Sequence, residues 1–274
     1  MTDNEEKYEE WEEKLWRLYE SLFKDAKYTI KDGVIFPNNY ATARFKVMVM
    51  NREPYDDEEN SYSLNQEVAK QINDGKMPFA SQRILRSHLC QYLSVIHLLV
   101  EKNFNGVSEE EVIGYVNNSS NEDFVNYLSD SAYVNVKKSD GADHSKRANL
   151  KKYAEKGIEV LKEQIRFCNP SVILAGDVCD DVIEDLFDWG KTTLYDDEGN
   201  SSLKIYELLV DGKPYPFIDM YHPSRNQNYV RNGEEKNMKM YYLELFKGIM
   251  AVEKQYPGYW NKRLNNKCFR TNNQ

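Results

Sequence analysis

Apolar positions fall into two kinds of run along the 274 residues. Short continuous runs sit at 45–50, 132–136, 172–175 and 217–220, and another apolar segment covers 203–210. Runs this short and this apolar predict strands buried on both faces. Between them, apolar residues recur at helical spacing among charges. Trp11, Leu15, Leu18, Leu22 and Phe23 predict an amphipathic helix over 5–25, and Leu64, Val68 and Ile72 a second one closed at Asp74-Gly75. Ile84, Leu85, Leu89, Leu93, Ile96 and Leu99 predict a third over 80–102, with these side chains inward. Ser108 and Glu111 form a capping-box signal for a short helix. Helices at 146–167, stopped by Asn169-Pro170, and at 238–253 complete the series. Asp177 is placed to cap a helix carrying Val182, Ile183 and Leu186, and Gly199-Asn200 to turn the chain before the 203–210 strand.

Strands alternating with helices predict a three-layer α/β/α fold around a central, mainly parallel sheet of four to five strands. The expected division is an N-terminal helix and lead-in at 1–36, an α/β domain at 37–253 with a helical insertion at about 56–130, and a basic tail at 254–274. In such sheets ligands bind beyond the carboxyl ends of the strands. The polar residues found there are Asn51 to Tyr55, Asn135 to Lys138, Gly176-Asp177 and His222 to Asn226.

Composition narrows the class. Apolar residues make up 41% and charged residues 30%, as in a globular chain with a sizeable core. No segment approaches the ~18 consecutive apolar residues of a membrane span. The acidic start, Met1 to Glu13, has no apolar core of a signal peptide, so a cytoplasmic protein is expected. Cys90, Cys168, Cys179 and Cys268 include no C-x-x-C pair, so reduced thiols and no metal site or cofactor are expected. His88 and His97 lie nine apart in an apolar helix, outside ligand spacing, and read as packed or hydrogen-bonded residues.

Two strand ends together resemble the uracil-DNA glycosylase superfamily. Val47-Met48-Val49-Met50-Asn51-Arg52-Glu53-Pro54-Tyr55 is similar to its first motif: an apolar strand, a polar turn with a water-activating acid, then Pro and Tyr. Tyr221-His222-Pro223-Ser224 is similar to its His-Pro-Ser motif at the end of the last strand. Between them, Asn135 resembles the Asn that reads the extruded base, and Asn169-Pro170 through Gly176 the Pro-to-Gly strand before the second motif. Order and spacing agree over about residues 40–250. Asn51 stands where the family has Gly, and Asp56 with three further acids where it has His.

The resemblance implies a monofunctional DNA glycosylase that extrudes uracil or another altered base and hydrolyses its bond to deoxyribose with water. Glu53 would orient that water, and a neutral His222 would donate to the base oxygen that gains charge. Asn135 would read the pairing edge, Phe79 would stack on the base, and Tyr55 would close the pocket beside C5 of a pyrimidine. Asn51 and Arg52 complete the substrate-binding set at the first strand end. Ser224, Arg225 and Asn226 follow the second motif, where relatives grip phosphate and push a side chain into the duplex.

The chain has 36 Lys and Arg against 45 Asp and Glu, a net charge of −9 that opposes tight non-specific DNA binding. The window 137–152 runs the other way, with Lys137, Lys138, Lys146, Arg147, Lys151 and Lys152 against Asp140 and Asp143. It is a candidate DNA track, and a solvated charged face is the alternative. The expected partner is DNA carrying an altered base, bound by a monomer. A glycosylase-fold module without catalysis, binding nucleic acid or protein, is the competing class. An unrelated nucleotide-binding protein finds no G-x-G-x-x-G or Walker lysine motif in support.

Overall fold

A computed structural model describes residues 2–54, 60–139, 146–196, 203–231 and 234–269. Its sheet has eight strands: β1 (Gly33–Val34), β2 (Val47–Asn51), β3 (Ser131–Asn135), β4 (Val172–Gly176), β5 (Asp188–Trp189), β6 (Tyr195–Asp196), β7 (Leu203–Val210) and β8 (Lys213–Met220). The order is β1-β3-β2-β4-β8-β7-β5, with β6 also on β7. The four central strands, β3-β2-β4-β8, are parallel. Antiparallel strands extend both sides, so the sheet is wider than the four to five strands expected.

Two helical layers cover it. One face packs α1 (Asp3–Leu22), α2 (Pro37–Thr42) and α7 (Arg147–Cys168) against Met48, Met50, Val134 and Ala175. The other packs α3 (Leu64–Asn73), α4 (Arg83–Glu101), α5 (Glu109–Asn118), α6 (Asn121–Ser129) and α8 (Tyr242–Gln255) against Val49, Tyr133 and Leu174. Local signals explain the ends. Thr2 and Glu5 make a reciprocal capping box on α1. Asn169 ends α7 in the left-handed conformation, with φ of 45°. Ser108 accepts from Glu111 N–H at the start of α5. No helix among the described residues is long and apolar enough to cross a membrane.

The expected segments outside the domain belong to it. β1, from the lead-in, pairs with β3, and α1 buries Trp11, Leu15, Trp16 and Tyr19. The C-terminal segment returns to the core through Trp260 and Phe269, because two aromatic side chains outweigh its basic composition. The stretch between β2 and β3 is the bulk of one covering layer. Ile84, expected inward, is 38% exposed at the first turn of α4. Asp177 caps no helix: a π-helical turn at Cys179–Ile183 follows Val178, while Asp177 takes the left-handed conformation, φ 57°. The Gly199-Asn200 turn lies outside the described residues.

Candidate functional site

The parallel order creates one switch point. From β2 the chain crosses to β3 on one side, then returns to β4 on the other. In sheets whose strands diverge this way, ligands bind beyond the carboxyl ends of the strands. Asn51 ends β2, Asn135 ends β3, Gly176 ends β4, and His222 follows β8.

Alternation places the side chains. Met50 and Val134 face the α7 layer, so Asn51 and its register partner Asn135 face the α4 layer with Val49 and Tyr133. Both asparagines are buried, at 0% and 1% exposure, and both amides lack hydrogen-bond partners among the described residues. The Tyr133 hydroxyl is near enough to feel the Asn51 amide, yet the two make no hydrogen bond of acceptable geometry. A buried amide left this way costs about 1–3 kcal/mol. Phe79 packs on Tyr133, with ring centres 5.5 Å apart, and its backbone is left-handed at φ 55°.

The two motif ends meet over Gly176. A methyl group there would overlap Asn51 Oδ1 and stand 3.0 Å from Pro223 Cδ and 3.3 Å from His222 Cα. The glycine lets the β2 and β8 ends close on each other, and nothing in the sequence pattern around it foretold that contact.

His222 is half-buried and its protonation is fixed locally. Ser224 N–H donates to His222 Nδ1 at 3.1 Å, and Ser224 Oγ–H donates to the same atom at 2.6 Å. A backbone N–H can only donate, so Nδ1 holds a lone pair and the proton sits on Nε2. Burial, then the Arg52 charge, pushes the imidazole down to about 4. On the α4 side, His88 Nδ1–H donates to Pro223 O at 2.9 Å and steadies the turn, so His88 is packed and bonded as its context suggested.

Around this floor the charges are paired. Arg52 forms an ion pair with Asp177 and donates from Nε to its carbonyl at 3.1 Å. Arg147 donates to the other Asp177 oxygen at 2.9 Å. The Glu53 carboxylate pairs with Lys137 Nζ at 3.2 Å, and that ammonium packs 5.0 Å from the Tyr153 ring centre.

Several expected contacts are displaced. Lys137 and Lys138 do not form a surface track: their side chains are 2% and 1% exposed. The reason is a run of sheet-like pairing past the strand ends, with Val136 N–H on Asn51 O and Lys137 N–H on Arg52 O. Lys138 Nζ donates at 2.7 Å to Asp32, a buried acid that also accepts from Asn135 N–H and Gln164. Arg225 is not a projecting wedge, since its guanidinium lies 4.1 Å from the Tyr221 ring centre and donates to Gln227 O and Asn228 O. Ser224 and Asn226 are exposed, as are Lys146 and Arg147 at the start of α7. Tyr55 and the acidic stretch 56–59 lie outside the described residues.

One group among the described residues has ligand atoms close enough to share a cation: Cys179, Asp180 and Asp219, within 4.8 Å of one another. Burial raises the Cys179 thiol, and burial with the Asp180 charge raises Asp219 to about 7.

No protein-family model matches the chain, and no curated protein or solved structure is detectably similar to it. Fold and site define a three-layer α/β/α protein with a polar, amide-lined floor at the switch point of its parallel strands.

Proposed function

We propose that the protein is a monofunctional DNA glycosylase that hydrolyses the bond between deoxyribose and uracil or another altered base flipped out of DNA. The carrying observation is the pair of buried Asn51 and Asn135 amides, without hydrogen-bond partners among the described residues, on the same edge of the sheet as an imidazole whose Nδ1 accepts from Ser224 N–H. Amides read the donor–acceptor edge of a base, and the strand-end placement matches the motif order of the uracil-DNA glycosylase superfamily.

Breaking the bond leaves an oxocarbenium-like sugar and a base carrying negative charge. His222 Nε2–H donates to the base oxygen that gains this charge, and as a neutral donor it does so without losing its own proton. Glu53 accepts a hydrogen bond from the attacking water and turns a lone pair toward the sugar. Lys137 holds the Glu53 carboxylate in place. Phe79 offers a ring face to the extruded base.

The test is base release from single- and double-stranded oligonucleotides bearing uracil, hypoxanthine or 5-modified cytosines, read as alkali-labile strand breaks. Release that falls at least 100-fold in Glu53→Gln and in His222→Ala, the scale of lost acid–base and charge-stabilising groups, supports the reading. A second reading, a binding module without catalysis, is favoured by the Glu53–Lys137 pair, which occupies the acid. Retention of these oligonucleotides without strand breaks would decide for it.

A further inference from the structure

We infer that Cys168 and Cys268 are a disulfide-forming pair: a small disulfide oxidant such as glutathione disulfide links them and staples the C-terminal segment to the end of α7. The inference stands apart from the glycosylase reading. The pair precedes β4 at the amino edge of the sheet, while Asn51 ends β2 at the opposite edge.

The two residues lie 100 positions apart in the chain, and the bonds on either side set them face to face. Phe269 N–H donates to Phe167 O at 2.9 Å, and Asn169 Nδ2 donates to Lys267 O at 2.6 Å. The pairs 167/269 and 169/267 bracket 168/268. This is the antiparallel pattern in which the residues between two such bonds lie opposite each other. Asn169 ends α7 in the left-handed conformation and commits its own N–H to Ile165 O, so its side chain makes the second bond of the bracket. Residues held opposite in this way have Cα atoms about 4.5–5.5 Å apart. A disulfide closes over about 4.4–6.8 Å without backbone movement.

The side chains converge as well. Both cysteines belong to the core layer that contains Tyr40. Each thiol influences the Tyr40 hydroxyl, and the Cys268 thiol in turn raises that of Cys168. Both thiols are free in this structure. The other two cysteines are placed elsewhere: Cys90 is on α4 in the opposite layer, and Cys179 follows β4 beyond its carboxyl end.

Access fixes the order of events. Cys168 is 0% exposed and Cys268 only half-buried, so the oxidant meets Cys268 first. The Cys268 thiolate attacks one sulfur of glutathione disulfide and expels glutathione thiolate, leaving a mixed disulfide. Cys168 then loses its proton to solvent and attacks the Cys268 sulfur, and the second glutathione leaves. Two protein thiols are oxidised, and one glutathione disulfide is reduced to two thiols. Burial pushes Cys268 up to about 11, with the Lys46 charge pulling the other way. Its thiolate is therefore scarce at neutral pH, and closure is slow and faster in alkaline buffer.

The experiment incubates the native full chain with glutathione disulfide at mildly alkaline pH, blocks remaining thiols, and maps the peptides by mass spectrometry without reduction. Melting temperature is measured before and after, and again after reduction. The expected result is a linked peptide joining Cys168 to Cys268. The oxidised protein should melt at least about 5 °C higher than the reduced one, as a loop of this length closed in a chain of this size implies. Cys268→Ala should lose both the link and the rise, and Cys179→Ala should keep both. A Cys268 that carries glutathione while Cys168 stays free overturns the inference, because the two sulfurs then do not meet. A link that forms only in urea overturns it too. A native link without a rise in melting temperature overturns the stapling role.

Discussion

Asn51→Ala and Asn135→Ala should be tolerated by the fold, an unusual outcome for residues 0% and 1% exposed. A buried Asn with its hydrogen bonds made loses those bonds on truncation, strands its partners and leaves a small void, for a total of about 2–4 kcal/mol. Here no partner among the described residues is stranded, because all four amide atoms lack one there. Truncation then relieves a desolvation cost of about 1–3 kcal/mol per amide. Against this stands the packing of three side-chain atoms, about 1–2 kcal/mol for a void that partly collapses. The net lies between a loss of about 1 and a gain of about 2 kcal/mol for each variant. Urea unfolding followed by both tryptophan fluorescence and circular dichroism measures it, with coincident transitions licensing the comparison of midpoints. A loss above about 2 kcal/mol in either variant would show that its amide is already satisfied. That result would remove the ground for a ligand-reading floor, since the amides would then be ordinary core hydrogen-bonding groups.

Two further outcomes follow from the same floor. Gly176→Ala should destabilise by about 1–3 kcal/mol through overpacking. Adding Asn51→Gly should recover most of that loss, because the nearest clash is with Asn51 Oδ1. Additive effects in this double-mutant cycle would mean that Asn51 Oδ1 does not close over Gly176. His222, pushed to about 4 from its ordinary 6.5, should keep a neutral ring down to that pH, so base release should show no His222 step near 6.5 and should fall only as pH passes about 4. The sign for stability is definite. Between 6.5 and 4 the unfolded chain binds a proton at this residue that the folded chain does not, so His222 destabilises the fold progressively as pH falls through that window and costs nothing above it. An NMR titration of the imidazole checks both, and a midpoint near 6.5 contradicts them.

The parts of this architecture legible in the sequence are those set by local physics. β2, β3 and β4 are five-residue strands buried throughout, and an unbroken apolar run records that burial directly. α7 ends where Asn169 and Pro170 forbid another turn. β8 was visible only from Phe217, because Pro214 and Pro216 look like strand breakers. They are accommodated in an antiparallel hairpin with β7, turned at Asp211-Gly212. The strand-end residues of the site were legible as a group, since one rule about carboxyl ends selects them. What they touch was not. Lys137 and Lys138 look like a solvated basic pair, and the acids that draw them inward, Glu53 and Asp32, lie 84 and 106 residues away in the chain. Asp177 looked like a helix cap because the competing attraction of Arg52 and Arg147 exists only after folding.

Burial of those two lysines changes how DNA affinity would have to arise on the glycosylase reading. Each phosphate neutralised by a surface cation adds to binding through counterion release. The window beside the site loses two of its six cations to the interior, and Arg147 and Lys151 are drawn to Asp177 and Asp185. A chain of net charge −9 with so thin a basic face gains little from the backbone of normal DNA. On the glycosylase reading, discrimination would then rest on the base itself, on hydrogen bonds that become available only once a nucleotide leaves the stack and reaches the Asn51–Asn135 floor. On that reading, weak attraction to phosphate and two amides without partners among the described residues would act in the same direction: the first would limit time spent on undamaged sequence, and the second would give a matching base a gain that a mismatched one cannot obtain.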